Sequence, residues 1–382
     1  MNKTVIAIKS QQGSLLHKIR SLNWLIILLL TVISCFGFVM LYSVAGGHLD
    51  PWATKQMIRF ALGVTVMITI AVIDLRWWMA SAYIIYIGAL LMLVAVEIMG
   101  DIGMGAQRWL ELGPVRLQPS ELMKLALTLA LARYYHGLTT REAASLKSLV
   151  LPLVMIAAPT ILVLRQPDLG TAILISSSGM VVMFLAGVRI SFFAAGIGAV
   201  AAAIPVAWGM LRQYQRDRVL TFLDPERDPM GTGYHIIQSK IAFGSGGISG
   251  KGLMLGTQAQ LNFLPEKQTD FIFTMLAEEL GLIGSLTLLA LYVTLIGYTI
   301  YISLQIKNHF GRLMTMGLTT TFFFYMFINT AMVMGLVPVV GVPLPLMSYG
   351  GSAMMTVLMA YGFILSAALH RNTIIARGGA FA

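Results

Sequence analysis

Ten apolar runs divide this chain, and they leave it few ways to fold. The first, 24–44, contains no Asp, Glu, Lys, Arg or His. Wound as a helix it would rise about 30 Å, the thickness of a bilayer's hydrocarbon core. Further runs follow at 58–73, 77–96, 121–135, 149–164, 169–186, 190–210, 271–303, 313–336 and 347–369. Charged residues make up 11% of the chain and hydrophobic residues 57%. An ordinary soluble domain carries about 25% charged residues, so too little polar surface exists here to face water. The expected fold class is an all-α membrane protein, a polytopic bundle of about ten transmembrane helices.

Lys3, Lys9, Lys18 and Arg20 precede the first run, and Ser43-Val44-Ala45-Gly46 has a faint likeness to a signal cleavage site. A signal core spans about 7–15 residues. This run is longer, so it is read as an uncleaved first span. Placing the N-terminus inside puts Lys3, Lys9, Lys18, Arg20, Arg76, Arg133, Arg141, Lys147, Arg189, Lys307, Arg312, Arg371 and Arg377 on the cytoplasmic side. The short outer loops then hold only Lys55, Arg59, Arg108, Arg116 and Arg165. That asymmetry obeys the positive-inside rule and predicts cytoplasmic termini, with a large extracytoplasmic loop at 211–270 between helices 7 and 8. It also accounts for the net charge of +10 without nucleic acid as a partner.

Cys35 is the single cysteine, and the six histidines are scattered without HExxH spacing. No intrachain disulfide and no thiolate cluster can form, and no metal motif is present. The glycine-rich stretch 244–252 fails as a phosphate-binding P-loop. Ser245 stands where that motif needs its first glycine, and Gly252 where it needs Ser or Thr. A flexible or tightly turned outer loop is expected there.

Ionisable and polar groups at membrane depth cost free energy unless paired or hydrated, so each is a functional candidate. Four stretches qualify. In Gln118-Pro119-Ser120-Glu121-Leu122-Met123-Lys124, Ser120 suits an N-cap, and Glu121 and Lys124 fall on one helix face. A helix start with a favourable acid and a snorkelling lysine would look the same. Arg165-Gln166-Pro167-Asp168-Leu169-Gly170 is either a turn with an internal ion pair or a non-helical segment beside a hydrated cavity. In 264–273, Asp270 is the last charge before the eighth span. It suits a helix cap, the commoner case before an apolar run, or else an acid whose pKa is raised beside apolar wall. Glu278 and Glu279, two turns on, are expected to be structural. The fourth stretch is Asn329 with 335–352, where three prolines interrupt the helix. It reads as a rigid re-entrant turn that shapes a cavity.

Together and in this order, the four stretches resemble the SEDS family (shape, elongation, division and sporulation) from about residue 24 to 371. The likeness is greater to its rod-elongation branch than to its division branch. Residues 329–352 match the family signature throughout, including Pro-Leu-Met-Ser-Tyr-Gly-Gly-Ser, and Arg-Gln-Pro-Asp-Leu-Gly and Pro-Glu-Lys-Gln-Thr-Asp-Phe-Ile-Phe are nearly as specific. The resemblance implies a multi-pass protein of the bacterial inner membrane. Such a protein is a peptidoglycan glycosyltransferase that polymerises lipid II into glycan strands. It works beside a class B penicillin-binding protein of the PBP2 transpeptidase type, and with MreC, MreD, RodZ and MreB. By the same resemblance Asp270 takes the family's essential aspartate. Glu121 and Lys124 match its functional pair, Asp168 its acid, and Arg108 beside Trp109 its Arg-Trp pair. The implied layout is a cytoplasmic tail at 1–23, a SEDS transmembrane domain at 24–371, and a cytoplasmic tail at 372–382.

The reaction would join the GlcNAc 4-hydroxyl of one lipid II to the MurNAc anomeric carbon of another. Asp270 is the expected base. Lys124 and Arg108, with Arg212 or Arg216, would face the departing diphosphate. Glu121 and Asp168 would hold that lysine or bind a divalent cation such as Mg2+ or Mn2+. Two other classes fit the hydropathy: a lipid II flippase, and a non-catalytic scaffold for the penicillin-binding protein.

Overall fold

The computed structural model describes residues 15–99, 101–103, 106–112, 115–210, 213–224, 227, 232–261, 264 and 266–377. A short helix α1 (Leu15–Arg20) precedes α2 (Trp24–Val44), α3 (Ala53–Val72) and α4 (Leu75–Met99). Three short strands follow, β1 (Asp101–Gly103), β2 (Ala106–Leu112) and β3 (Val115–Leu117), paired antiparallel in the order β1-β2-β3. Then come α5 (Pro119–His136), α6 (Thr140–Ala143), α7 (Lys147–Arg165), α8 (Leu169–Leu185) and α9 (Ile190–Met210). The loop after α9 carries α10 (Gln213–Leu223), α11 (Thr232–Gly246) and α12 (Thr257–Gln260). The chain finishes with α13 (Ile272–Gln305), α14 (His309–Val333) and α15 (Gly351–Leu369).

Each of the ten apolar runs has its helix, in α2, α3, α4, α5, α7, α8, α9, α13, α14 and α15. Seven of these are long and apolar enough to cross a membrane, and α8 and part of α9 are shorter apolar helices. Helix α5 is the exception in composition. Nearly all of its side chains are buried, and it packs against α4, α7, α8 and α14. A helix surrounded by protein can carry Glu121, Lys124 and Arg133, which lipid would reject. The three-stranded sheet departs from the all-α expectation, and Pro119 rather than Ser120 opens α5. The N-cap is Gln118, whose side chain makes no capping bond, and proline takes the first turn, where its missing N–H costs nothing.

Side-chain bonds sort the helix ends onto two faces. On one face Lys18 Nζ and Ser366 Oγ reach the carbonyls of Val72 and Ile73, at 3.2 and 2.8 Å. Lys307 N reaches Arg371 O there at 3.0 Å. On the other, Gln56 Nε2 reaches Ser348 O at 2.9 Å and Ser352 Oγ reaches Arg116 O at 3.2 Å. The charged motifs of 118–124, 165–170 and 264–273 lie toward this second face, and the ends of the described chain lie at the first.

Helix α13 is broken at Gly281, whose backbone sits at φ 65°, ψ −159°. The freed groups are satisfied by the glycine-rich loop. Lys251 N and Gly252 N donate to Glu278 O and Glu279 O at 3.0 Å each, and Leu282 N and Ile283 N donate back to Gly247 O and Ile248 O. The loop must approach closely: a Cβ on Gly250 would lie 2.1 Å from Glu279 O. Glu278 and Glu279, fully buried, complete the join. Glu278 accepts from Lys251 Nζ at 2.7 Å, Thr257 Oγ1 at 2.9 Å and Gln258 N at 3.2 Å. Glu279 accepts from Ser43 Oγ of α2 at 2.6 Å. Residues 247–252 are therefore a tightly turned loop, whereas 244–246 end α11 in place of the loop expected there; both glutamates bond structurally, as the sequence led us to expect.

Gly250→Ala forces backbone against backbone and needs a positive φ, at 80°, that alanine rarely adopts. Thermal unfolding of the purified protein should show a loss of about 1–3 kcal/mol, whereas alanine at the open Gly244 should be neutral.

Candidate active site

Asp270 is positioned through its backbone. Three successive carbonyls are taken by groups of the proline-rich segment and α14. Gln268 O accepts from Tyr349 N at 2.8 Å, Thr269 O from Ser348 Oγ at 2.6 Å, and Asp270 O from Asn329 Nδ2 at 2.9 Å. The segment is itself pinned. Asn329 Nδ2 also donates to Val342 O at 2.7 Å, Leu344 N to Ser348 Oγ at 2.7 Å, and Tyr292 Oη to Pro345 O. Residues 335–350 thus satisfy a non-helical backbone within protein, as membrane depth requires. Gly341, at φ 67°, brings this segment against the acid: a Cβ there would lie 3.5 Å from Asp270 Oδ2.

The carboxylate of Asp270 does not cap α13. The N-cap is Phe271, with no side-chain bond, and among the described residues nothing donates to Asp270 Oδ1 or Oδ2. Thr269, its neighbour, is turned to Glu266 Oε2 at 2.9 Å instead. Burial pushes the Asp270 carboxyl up to about 6; the negative charges of Glu266 and Asp168 add to this, and the Arg108 guanidinium opposes it. A half-buried carboxyl, without donors among the described residues and within electrostatic reach of two other acids, is held in the range where it ionises near neutral pH yet still takes a proton.

Asp168 is the N-cap of α8. Its Oδ1 accepts from Thr171 N at 3.1 Å and its Oδ2 from Thr171 Oγ1 at 2.9 Å. Its cation is Arg108 of β2, 3.7 Å away. Arg165 pairs instead with Glu97 at 3.6 Å, so the ion pair within the turn, one of the two readings of this stretch, is not formed. Arg108 is anchored to that turn by Nη2 to Pro167 O at 2.6 Å and Nε to Gln166 O at 3.3 Å. The close approach of the turn to the proline-rich segment depends on Gly170, whose Cβ would sit 2.5 Å from Val340 O.

Glu121 and Lys124 form a buried pair, Nζ to Oε1 at 2.6 Å, each nearly sealed from solvent. Tyr325 of α14 locks it. Its hydroxyl donates to Glu121, 2.8 and 2.7 Å from the two oxygens, and Lys124 Nζ stands 4.3 Å above its ring. The Tyr325 ring packs with Leu174 and Val342, and Val342 O shares Asn329 with Asp270 O. A continuous set of contacts therefore runs from Lys124 through Tyr325 and Asn329 to Asp270. Of the two arrangements open for Glu121, the geometry is that of an acid holding the lysine. A divalent ion on Glu121 would have to displace that ammonium, and no cluster of three His, Cys, Asp or Glu occurs among the described residues. The donor set does not fit a dedicated cation site.

Arg216 donates to the Trp208 and Gly209 carbonyls at 3.0 and 2.7 Å. It closes the end of α9, and no described contact ties it to Asp270. Arg212 lies outside the described residues. Tyr325 was not singled out by sequence, because an aromatic run at 322–325 reads as packing; its place one turn before Asn329 on the same face was the available signal.

A sequence model of the FtsW, RodA and SpoVE family, described as a cell cycle protein, matches residues 23–373. The chain belongs to this family. It is 46% identical over 351 residues to the peptidoglycan glycosyltransferase MrdB of Escherichia coli K12, covering 91% of this chain and 94% of that protein. It is 34% identical over 362 residues to a probable peptidoglycan glycosyltransferase FtsW of Geobacter metallireducens, covering 92% and 96%. Among solved structures, one described as the structural coordination of polymerization and crosslinking by a peptidoglycan synthase complex superposes with a TM-score of 0.81 at 34% identity. The rod shape determining protein RodA of Thermus thermophilus superposes at 0.71 and 28%. Each structure covers 93% of this chain and 99% of its own. The chain is accordingly an integral membrane protein of this family's fold.

Breaking a buried ion pair leaves a bare charge, at a cost of about 3–5 kcal/mol, while removing both charges is far milder. Glu121→Gln and Lys124→Met should each destabilise the folded protein more than the double Glu121→Leu/Lys124→Met, and Tyr325→Phe should cost about 1–3 kcal/mol. Thermal unfolding in detergent measures the order.

Proposed function

We infer that this chain is a peptidoglycan glycosyltransferase that polymerises lipid II into glycan strands, and that it acts in lateral wall elongation and the maintenance of cell shape. The relatives named above support the activity, and the rod-type branch supports the role. The observation that carries the mechanism is Asp270: a backbone-clamped carboxyl, free of donors among the described residues and pushed up to about 6.

A sugar hydroxyl is a weak nucleophile, so a base must take its proton as the new bond forms; such help is worth about 10²–10⁴-fold. Asp270 accepts the proton of the acceptor's GlcNAc 4-hydroxyl. That oxygen attacks the donor's MurNAc C1, the bond from C1 to the diphosphate breaks, and the configuration at C1 inverts. Undecaprenyl diphosphate leaves with the bonding pair, and Asp270 passes its proton to solvent. Arg108, partly exposed beside Asp168, and Lys124, fixed by Glu121 and Tyr325, supply the positive charge toward which the diphosphate charge develops. Asp168 orients Arg108.

The Asp270 face is the outer one in this reading, and both termini are cytoplasmic; the distribution of Lys and Arg supports that orientation in the inner membrane. The chain works beside a class B penicillin-binding protein that crosslinks the strands, a reading supported by the similarity to a structure described as a peptidoglycan synthase complex. MreC, MreD, RodZ and MreB belong to the same proposed assembly.

Purified protein in detergent has one compartment, so glycan strands made there from lipid II establish polymerisation apart from transport. Asp270→Asn should make none while keeping its fold. The folded carboxyl ionises at about 6 instead of the ordinary 3.8, so folding disfavours the charged form, and this destabilisation grows as pH rises from about 4 to 6. The Asn variant escapes it and should melt higher than wild type at pH 7. Strand synthesis by a variant that melts no lower than wild type would remove Asp270 from the mechanism.

The rate should follow the ionised base, falling as pH drops through about 6. Glu266→Gln removes a charge that raises this pKa, so its acid limb should move to lower pH. Arg108→Gln should move it higher. A pH profile of kcat/KM for the three proteins reads both signs.

A further inference from the structure

On the face opposite Asp270, the structure holds a cavity of about 330 Å³ lined by His136, Lys307, Asn308, His309, Arg312 and Arg377. Among the described residues no acidic side chain lines it. Glu142, which is within electrostatic reach of Arg377, is bound to Thr139 N and Oγ1 at 2.7 and 2.9 Å. Asn308 is 5% exposed. It caps α14, its Oδ1 accepting from Gly311 N at 2.6 Å. This turns its Nδ2 away from the helix, and among the described residues that buried donor has no hydrogen-bond partner. A buried amide left unpaired costs free energy that a ligand's acceptor would recover.

The walls are fixed. His136 Nδ1 accepts from Phe310 N at 3.2 Å, which leaves its Nε2 to carry a proton toward Ala376 O at 3.4 Å. Ile375 is buried, and the segment 374–377 is thereby held as one side of the cavity. The N–H groups of Phe310 and Gly311 in the first turn of α14 are spent on His136 and Asn308, so side chains would supply most of the hold on an anion. The dipole of this 25-residue helix would add to them.

We propose that this cavity binds a phosphoryl anion, the headgroup of an anionic phospholipid. Basic pockets between transmembrane helices suit such headgroups. Ile374 lines the same cavity and is 81% exposed, an apolar contact for the glycerol and acyl portion. The site lies apart from Asp270 and does not depend on the catalytic reading.

The full chain, purified in detergent, is titrated with dioleoylphosphatidylglycerol, with dioleoylphosphatidylcholine and with inorganic phosphate, and bound ligand is counted by native mass spectrometry. Wild type should hold one phosphatidylglycerol in preference to phosphatidylcholine. At about 1 kcal/mol per basic residue, Arg312→Gln/Arg377→Gln should weaken that site roughly thirtyfold. Asn308→Asp keeps a capping oxygen but sets a carboxylate where the free donor stood, and should give a comparable loss. Unaltered melting and unaltered lipid II polymerisation certify the fold of each variant. Inorganic phosphate bound with the same sensitivity to the variants would support the phosphoryl site and make a soluble anion its ligand. Equal binding of every probe by wild type and variants overturns the proposal.

Discussion

Everything at the candidate site rests on backbone carbonyls 268–270 being held by residues far away in sequence. Tyr349, Ser348 and Asn329 supply those three bonds, and none touches the Asp270 carboxylate. The division is physically sensible. A base that accepted hydrogen bonds would have its charge stabilised and its proton affinity lowered. Fixing the main chain instead places the side chain without neutralising it. The proline-rich turn is suited to this task because its own polar groups are already consumed by Tyr292, Gln56 and Asn329, so it behaves as a rigid surface.

The second element of order is the pair Glu121–Lys124 inside α5. A charge pair in so dry a place recovers its desolvation cost only with further bonds, and Tyr325 provides them from α14. The same tyrosine packs on Val342 of the turn. The lysine and the aspartate are thus referenced to one framework rather than to two independent loops, which is how a site can hold charged groups at a constant separation.

Much of this was legible in the sequence and some was not. The ten runs each became a helix because apolar continuity in lipid admits little else. The four polar stretches were visible because charge is costly there. What hydropathy could not show was partnership. Arg165 faces Glu97, while Asp168 is met by Arg108 from a strand some sixty residues earlier; a local pattern suggested the opposite. The sheet that delivers Arg108 was missed because its strands are only three to seven residues long. Tyr325 was hidden among phenylalanines. The glycine-rich loop looked like surface, although its backbone completes a broken helix. In each case the deciding contact joins residues that no sequence window contains.

The break at Gly281 also bears on the order in which the molecule is made. The part of α13 beyond it, 282–305, is long enough to enter the bilayer as an ordinary segment when it leaves the ribosome. The part before it, 272–280, has no such autonomy: it docks on loop residues synthesised earlier. Its aspartate is then held by a turn synthesised later, some seventy residues downstream. An incomplete chain therefore has its spans but no oriented Asp270 carboxyl. The orientation of that carboxyl waits until the proline-rich turn has been synthesised.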